Sequence, residues 1–320
     1  MKNDRNILIA GGCGFIGSSL VSYILDNDFC DNLYVIDNMS SGSLAKLEKH
    51  LNDKRLNVFE GDIIDTDFVL SFQRFSIGKI FNLACKATPI LYQSNPIHTL
   101  KSSVWGVDNL LQLAMKTGAM LLHSSTSEVY GDPMIEIQNE RYWGNVNPIG
   151  IRACYDEGKR CAETLLVDYN RMYNVDTRIA RIFNTYGTNM SEDDGRVVTN
   201  FLTQLYRGEP LTVYGNGEQT RCFCYIDDLL DGIWKLSNVD REMIDGPINF
   251  GNPFEITIKE LVVIIESLTQ LKANVVYLEL PKDDPQKRCP DISKAKSILN
   301  WEPKISLKDG LRKMIDRYRK

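Results

Sequence analysis

A short glycine-rich segment constrains the fold of this 320-residue chain more than any other feature. The apolar run Ile7-Leu8-Ile9-Ala10 leads into Gly11-Gly12-Cys13-Gly14-Phe15-Ile16-Gly17, after which apolar residues recur at helical spacing. Glycines at 11, 14 and 17 allow a tight turn, leave the backbone bare beside a pyrophosphate and place a helix N-terminus next to the negative charge. The segment therefore predicts a dinucleotide site between a strand and a helix, although a glycine triplet alone is weak evidence.

Strand-like and helical patterns alternate through the first half of the chain. Strand patterns occupy residues 33–36, 56–60, 79–84, 120–124 and 177–183, and 247–251 is predicted to return to the same sheet. This alternation predicts an α/β fold with a doubly wound parallel (Rossmann) sheet, whose ligands lie outside the carboxyl ends of the strands. We expect the Rossmann domain at 1–185 plus 225–251. A smaller, discontinuous α/β substrate-binding lobe is expected at 186–224 plus 252–320.

The end of the second strand pattern indicates which dinucleotide binds. Asp37 follows Gly17 by about 20 residues, where a carboxylate hydrogen-bonds the ribose hydroxyls of NAD. The same carboxylate would repel the 2′-phosphate of NADP, so the position favours NAD. Asp62, after the third strand pattern, is predicted to lie near the adenine.

A tyrosine and a lysine four residues apart form the candidate catalytic pair. If residues from 156 onward are helical, Tyr155 and Lys159 lie one turn apart on the same face. The ammonium is expected to lower the phenol pKa, ordinarily about 10, so that Tyr155 serves as a general base. Such pairs are also common on helix surfaces. The strand pattern at 120–124, however, delivers Thr126-Ser127-Glu128 to the same sheet edge, which favours a catalytic site.

Composition excludes several classes of protein. Lys plus Arg is 37 against 42 for Asp plus Glu, a net charge of −5 that does not suggest nucleic-acid binding. There is no apolar run long enough for a membrane span, and the start leads directly into a strand, so a cytoplasmic location is expected. Eight cysteines without a CxxC pair, and three histidines away from ligand spacing, predict reduced thiols and no metal site.

The chain resembles the extended short-chain dehydrogenases/reductases that act on sugar nucleotides, over almost its full length. The resemblance is carried by residues 11–17, by Thr126-Ser127-Glu128, by Tyr155-x-x-x-Lys159 and by residues 181–187. Longer segments closely resemble the UDP-glucuronate decarboxylases (UDP-xylose synthases): residues 143–150, 152–160, 194–198, 208–215 and 283–288. The resemblance implies NAD as cofactor, UDP-glucuronate as substrate, and UDP-xylose and CO2 as products.

The resemblance also implies catalytic roles. Tyr155 would take the proton of the sugar 4-hydroxyl while C4 passes a hydride to NAD, and the 4-ketone would let the C5 carboxylate leave as CO2. Protonation at C5 and return of the hydride would complete the cycle. Lys159 would tune Tyr155 and hold the nicotinamide ribose, and Thr126 would hydrogen-bond the 4-oxygen. Three further side chains are expected around the carboxylate: Ser127, Glu128 and Arg288.

Two sets of binding residues and a homodimer are implied as well. NAD is expected to contact Gly11, Gly14, Phe15, Ile16, Gly17, Asp37, Asn38, Asp62, Ile63, Leu83, Tyr155, Lys159 and Thr185. The UDP-sugar is expected to contact Lys101, Asn109, Tyr155, Asn184, Arg196, Val198, Tyr214, Gln219, Arg221 and Arg288. Helices at 99–117 and 156–174, with more apolar surface than one sheet face needs, would form the dimer interface.

The turn after the fourth strand pattern departs from the family. Cys85-Lys86-Ala87-Thr88-Pro89-Ile90-Leu91-Tyr92 stands in place of a Ser- and Pro-rich turn ending in Asn-Tyr. With a cysteine in this turn, the chain resembles the UDP-apiose/xylose synthases. Those enzymes carry a second cysteine where this chain has Ser127. A 4,6-dehydratase would need an acid at 127, and a 4-epimerase would lack Glu128 and Arg288. A non-catalytic NAD-binding protein, a class that commonly loses the Tyr or the Lys, is the remaining alternative.

Overall fold

The computed structural model describes residues 3–279 and 288–318, so the motif at 283–288 lies outside the described residues except for Arg288. The strands are β1 (Asn3–Ala10), β2 (Asn32–Asp37), β3 (Leu56–Glu60), β4 (Ile77–Asn82), β5 (Met120–Thr126), β6 (Thr177–Ile182), β7 (Thr185–Tyr186), β8 (Leu211–Tyr214), β9 (Thr220–Cys222), β10 (Cys224–Tyr225), β11 (Ile248–Phe250), β12 (Glu255–Thr257) and β13 (Val275–Leu278). The α-helices are α1 (Phe15–Asp26), α2 (Thr66–Leu70), α3 (Pro89–Ser94), α4 (Pro96–Lys101), α5 (Val107–Thr117), α6 (Ala153–Tyr173), α7 (Val197–Arg207), α8 (Ile226–Asn238), α9 (Ile258–Thr269), α10 (Ser293–Leu299) and α11 (Leu307–Tyr318).

A parallel seven-stranded sheet organises the described part of the chain, in the order β11-β6-β5-β4-β1-β2-β3. The chain runs outward from β1 through β2 to β3 and then crosses to β4 on the other side of β1. This reversal of direction creates a crevice at the carboxyl ends of β1 and β4, where doubly wound proteins bind ligands. The predicted doubly wound sheet is confirmed, and so is the return of the chain to the sheet as β11.

Apolar clusters cover both faces of the sheet. Along β1, Ile7 and Ile9 belong to one cluster and Leu8 to the other, because successive strand residues point to opposite faces. Leu20 of α1 packs into the first cluster and Leu110 of α5 into the second. A parallel sheet covered on both sides needs such continuous apolar strands. Among residues 3–279 and 288–318, no helix combines the length and apolar character needed to cross a lipid bilayer.

The two helices predicted at 99–117 and 156–174 differ in their bounds. The first is part of a helical stretch in which α4 continues through a π-helical turn (Ser102–Gly106) into α5. The second, α6, begins at Ala153, so Tyr155 lies in its first turn. Gly158 of α6 allows close approach of the two helices, because a Cβ there would lie 3.0 Å from the Cβ of Ser103.

The remaining elements lie in the region predicted to bind the substrate. β8 pairs with β13 in parallel, and β9 pairs with β12 in antiparallel orientation. Leu202 of α7 and Leu261 of α9 belong to the same apolar cluster as the first face of the central sheet. Because the two predicted domains share one core, their boundaries stay a prediction.

Replacement of Gly17 by alanine is expected to destabilise the protein strongly. A Cβ at Gly17 would lie 2.0 Å from the carbonyl oxygen of Gly11 and 2.8 Å from the Cα of Gly12, and both are backbone atoms of the loop. We expect the free energy of unfolding to fall by about 3 kcal/mol in a denaturant titration. Gly14→Ala is the matched control, since its Cβ would meet only the Gly11 oxygen at 3.3 Å. Equal losses for the two variants would contradict this account.

Candidate active site

A cleft of about 740 Å³ opens at the carboxyl edge of the sheet. Predicted residues lining it are Gly11, Gly14, Phe15, Ile16, Gly17, Leu83, Thr126, Ser127, Glu128, Tyr155, Lys159, Asn184, Thr185, Arg196, Val198, Tyr214, Gln219, Arg221 and Arg288. The other predicted cofactor residues line an adjoining hollow that shares Gly11, Gly14 and Leu83 with the cleft: Asp37, Asn38, Asp62 and Ile63. The structure thus brings the predicted cofactor and catalytic residues to one edge of the sheet.

Two predicted substrate residues, Lys101 and Asn109, do not line the cleft, so their contact with the substrate stays a prediction. The Asn109 amide donates to the carbonyl oxygens of Ile63 and Ile64 at 2.9 and 3.0 Å, so it holds the loop after β3. The ammonium of Lys101 lies 4.8 Å from the centroid of the half-exposed Trp105 ring. Both residues therefore have contacts away from the cleft, which helical spacing alone did not reveal.

The residues around the glycine loop fit a dinucleotide. Gly11 adopts a φ of +80°, and Gly14 precedes α1 without any side chain capping the first turn. The free amide groups of that turn and the helix dipole stabilise an anion such as a pyrophosphate. The buried Asp37 carboxylate accepts hydrogen bonds from the backbone amides of Cys13 and Met39, both at 2.9 Å. It is thereby fixed at the end of β2, where NAD presents its ribose hydroxyls.

Asp62 is held in place beside the hollow by three groups. Its carboxylate accepts from the Asn38 amide at 2.7 Å and from the Ile64 backbone amide at 3.0 Å. The Nε2 atom of His98, a residue that the sequence reasoning missed, lies 2.8 Å away. Burial alone would raise the pKa of Asp62, but these hydrogen bonds lower it below its ordinary value. An ionised, immobile carboxylate results.

Tyr155 and Lys159 lie one helical turn apart, and their side chains face the end of β5. Both are buried, with 5% and 2% of their surfaces exposed. The Lys159 ammonium donates to the carbonyl oxygen of Ser124 at 2.6 Å and lies 5.9 Å from the Tyr155 ring centroid. The hydroxyl groups of Thr126 and Tyr155 hydrogen-bond each other. The predicted meeting of strand end and helix is therefore present.

The predicted lowering of the Tyr155 pKa is wrong when only the groups of the protein itself act on the phenol. Burial raises the pKa of Tyr155 well above its ordinary value, Cys85, Glu128 and Asp156 act in the same direction, and the hydrogen bond with Thr126 opposes them. Burial also lowers the pKa of Lys159. Desolvation penalises a phenolate and an ammonium alike. Additional positive charge near Tyr155 would lower its pKa and favour loss of its proton.

Tyr92, which the sequence reasoning missed as a site residue, stacks on Tyr155. The ring centroids are 5.0 Å apart and the planes differ by 5°. Tyr92 is buried in α3, within the turn that departs from the family. Among the residues that the structure describes, none hydrogen-bonds the Tyr92 hydroxyl. The stack fixes the plane of the Tyr155 ring. No local sequence pattern indicates a contact between residues so far apart along the chain.

Glu128 lies between two arginines at the inner end of the cleft. Its carboxylate accepts from the Nη2 atom of Arg152 at 2.8 Å and from both terminal nitrogens of Arg288. Arg288 also donates to the Ser127 hydroxyl at 3.4 Å. Burial alone would raise the pKa of Glu128, but the two arginines hold it at about 2, so the carboxylate stays ionised. Arg152 was missed, although it lies only three residues before Tyr155.

Asp156 is a buried carboxyl beside this cluster, and its titration leads to a pH-dependent prediction. Burial raises its pKa from 3.8 to about 7, with Glu128 acting in the same direction and Arg152 and Arg288 opposing. Between about pH 4 and pH 7 the folded protein therefore holds a proton that the unfolded chain has lost. Stability falls as the pH rises through this window and levels off above it.

Asp156→Asn is expected to remove this loss of stability. The difference in free energy of unfolding between the variant and the wild type should grow by about 2.5 kcal/mol from pH 5 to pH 8, measured by urea titration. Asp168→Asn, an exposed position in the same helix, is the matched control. A difference that is the same at both pH values would show that Asp156 does not titrate in this range.

One family model and several known proteins are similar to this chain. The family model described as GDP-mannose 4,6 dehydratase matches residues 8–314. UDP-glucuronic acid decarboxylase 6 of Arabidopsis thaliana is 47% identical over 318 residues, covering 99% of this chain and 90% of that protein. UDP-glucuronic acid decarboxylase 1 of Danio rerio is 45% identical, covering 98% and 72%. The solved structure of UDP-glucuronic acid 4-epimerase from Bacillus cereus, in complex with UDP-glucuronic acid and NAD, has a TM-score of 0.88 at 25% identity, covering 98% of this chain and 99% of that one.

Proposed function

Because this chain belongs to the GDP-mannose 4,6-dehydratase family of extended short-chain dehydrogenases/reductases, we propose that it decarboxylates UDP-glucuronate to UDP-xylose and CO2. The observation that carries the proposal is the Arg152–Glu128–Arg288 cluster beside Tyr155. A buried arginine at this place matches a substrate with a carboxylate next to the carbon that is oxidised. NAD is the cofactor, since the glycine loop and Asp37 fit it and NAD is bound in structures of similar enzymes.

Each residue of the cleft has a separate role in the reaction. Bound NAD supplies the hydride acceptor for sugar C4 and a positive charge on its nicotinamide ring. Tyr155 takes the proton of the 4-hydroxyl, Thr126 hydrogen-bonds the 4-oxygen, and Lys159 is the cation that the chain itself supplies one turn away. Arg288 holds the C5 carboxylate. The ketone at C4 makes the sugar a β-keto acid, which loses CO2 and is then protonated at C5. Return of the hydride to C4, and of the proton from Tyr155 to the 4-oxygen, would give UDP-xylose and restore the oxidised cofactor.

The protonation state of Glu128 separates decarboxylation from dehydration. A 4,6-dehydratase must protonate the departing 6-hydroxyl, but Glu128 has a pKa of about 2 and holds no proton at neutral pH. Ser127, next to it, is far too weak an acid. Glu128 can instead repel the substrate carboxylate and so favour its departure as neutral CO2. The charges of the cluster therefore favour loss of CO2 over loss of water.

One incubation tests the proposal. The purified protein, loaded with NAD, is given UDP-glucuronate, and CO2 and the nucleotide sugars formed are measured. We expect CO2 and UDP-xylose in equal amounts. UDP-glucose is given in a parallel incubation as the substrate for 4,6-dehydratase activity. UDP-galacturonate among the products from UDP-glucuronate would indicate 4-epimerase activity. No CO2 from a preparation that binds NAD and UDP-glucuronate would overturn the proposal.

A UDP-apiose/xylose synthase is the second candidate, and Cys85 is the observation that favours it. Cys85 lines the cleft, and its sulfur lies 3.6 Å from the Ser103 hydroxyl near Tyr155 and Lys159. Ser127 stands where such enzymes carry a second cysteine. UDP-apiose among the products of the same incubation would support this candidate, and its absence would exclude it.

We further propose that the protein is a homodimer through the helical stretch α4–α5 and α6. Ile97 is 70% exposed, Trp105 53% and Met172 71%, and all three lie on these helices. We expect sedimentation to show a dimer at micromolar concentration and Trp105→Glu to dissociate it. Trp143→Glu, also exposed but outside these helices, is the matched control. A wild-type monomer would contradict the proposal.

A cytoplasmic location also stays a prediction.

A further inference from the structure

Three side chains on one face of α6 contact the end of β5 in successive turns. Tyr155, Lys159 and Glu163 are spaced four residues apart, so they lie along one side of the helix. The Tyr155 hydroxyl hydrogen-bonds Thr126, and the Lys159 ammonium donates to the carbonyl oxygen of Ser124. Glu163 has no role in the mechanism described above, yet it continues this row of contacts.

Glu163 joins the helix to two neighbouring strands. Its Oε1 atom accepts from the Ser125 hydroxyl of β5 at 2.5 Å and from the Nε atom of Arg181 in β6 at 2.9 Å. Its Oε2 atom accepts from the Nη2 atom of Arg181 at 2.7 Å, which completes a bidentate pair. Ser125 and Arg181 lie directly opposite each other in the parallel register of the two strands. One carboxylate therefore fixes α6 to both strands at once.

The pair is held firmly because Arg181 is bound from its other side as well. Its Nη1 atom donates to the Tyr130 hydroxyl at 2.9 Å, and that hydroxyl donates to the Asn249 side chain of β11 at 2.8 Å. Only 12% of the Glu163 side chain and 11% of the Arg181 side chain are exposed. A buried ion pair is costly to break, because the remaining partner is left charged and unpaired. The sheet thus sets the position of α6 close to the catalytic pair.

The charge of Glu163 also acts on Lys159. Burial lowers the pKa of Lys159, and Cys85 and Glu163 act in the opposite direction. His123, a buried histidine of β5, adds no charge near neutral pH, because burial holds its pKa well below the ordinary value. Tyr155 also faces the ammonium, which lies 5.9 Å from its ring centroid. Glu163 therefore favours the charged form of Lys159.

We propose that Glu163 is a positioning residue: by fixing α6 to β5 and β6 it holds Tyr155 and Lys159 at the end of β5, and its charge supports the ammonium of Lys159. The inference rests on the proposed function and deepens it. Glu163 is not among the residues that line the cleft, so it acts through the catalytic pair and not on the substrate. A carboxylate suits both tasks, since it accepts several hydrogen bonds in a fixed plane and carries the charge opposite to an ammonium.

Steady-state kinetics of the NAD-loaded enzyme over a range of pH values tests the proposal. We expect Glu163→Gln to lower kcat for CO2 release about 100-fold, with KM for UDP-glucuronate changed less than about threefold. The loss of the carboxylate charge, and the positive charge of Arg181 that is left unpaired, both lower the pKa of Lys159. Because activity requires the ammonium, the alkaline limb of the kcat profile should move to lower pH by about 1 pH unit.

Glu163→Asp separates the charge from the position. Aspartate keeps the negative charge, but its side chain is one methylene too short to reach Ser125 and Arg181 together from the same helix. We expect kcat to fall about tenfold, while the alkaline limb stays within about 0.3 pH units of the wild type. Glu157→Gln, at a half-exposed position of α6, is the matched control and should change neither quantity.

Two binding measurements accompany the kinetics. NAD content and the affinity for UDP should match the wild type in every variant, because Glu163 contacts neither binding region. If Glu163→Gln does not fold, the double variant Glu163→Gln with Arg181→Met takes its place, since it leaves no unpaired buried charge. The alkaline limb should then move in the same direction, because the charge that favours the Lys159 ammonium is still lost.

The outcomes are distinct. A kcat of Glu163→Gln within about threefold of the wild type would overturn the proposal. A fall in kcat without any movement of the alkaline limb would also overturn it and leave Glu163 a purely structural role. A KM raised about 100-fold at unchanged kcat would overturn it as well, because Glu163 would then act on substrate binding. Failure of the wild type to release CO2 would instead overturn the proposed function, so the two failures cannot be confused.

Discussion

Tyr155→Phe is expected to lower kcat for CO2 release at least about 1000-fold, while NAD and UDP-glucuronate remain bound. The substitution removes only the phenolic hydroxyl, so the proton of the sugar 4-hydroxyl has no acceptor. The ring keeps its stack on Tyr92, and the backbone of α6 is unchanged. The loss should therefore appear in kcat, with substrate affinity measured separately by calorimetry.

The control for this variant is Tyr34→Phe. Tyr34 is another buried tyrosine, stacked on Phe75 with ring centroids 4.5 Å apart, and it lies outside the cleft. We expect its activity to match that of the wild type. Substantial residual turnover by Tyr155→Phe would contradict the assignment of Tyr155 as general base.

Glu128→Gln is expected to lower kcat about 100-fold without weakening the binding of UDP-glucuronate. Glutamine has the shape of glutamate but no charge, so Arg288 would lose the counter-charge of Glu128 and hold the substrate carboxylate more firmly. The substrate would then bind more firmly in its ground state, so KM should be equal or reduced. Without the repulsion that favours departure of CO2, kcat should fall. Steady-state kinetics with UDP-glucuronate measures both constants.

Glu157→Gln is the matched control for this substitution. Glu157 is a half-exposed glutamate of α6 that pairs with Arg160 at 3.5 Å and does not line the cleft. Its replacement should leave both constants within about twofold. If Glu128→Gln retained wild-type kcat, Glu128 would have no electrostatic part in decarboxylation.

Much of the fold and part of the site could be predicted from local patterns. The glycines at 11, 14 and 17, Asp37 at a strand end, and the Tyr155–Lys159 spacing are each features of a few consecutive residues. The carboxyl ends of parallel strands meet at one edge, so the convergence of these features also followed from the sequence. The seven-stranded sheet and the placement of these residues at its edge are accordingly as predicted.

The features that local patterns did not reveal depend on burial or on packing. Spacing places an ammonium near Tyr155 but does not reveal that both groups are desolvated, and so the direction of the pKa shift was wrong. Helical spacing likewise does not reveal that the Asn109 amide donates to the loop after β3. In each case the physical quantity depends on neighbours from other elements.

The sequence by itself determined the sheet and indicated the candidate dinucleotide site and the candidate catalytic pair, because each depends on spacing along a short segment. Only the tertiary structure decided the charges of the site. Arg152 is 24 residues from Glu128 along the chain and Arg288 is 160 residues from it, yet the three side chains form one buried cluster. The energy of a buried charge depends on which groups surround it in space, and folding alone brings those groups together.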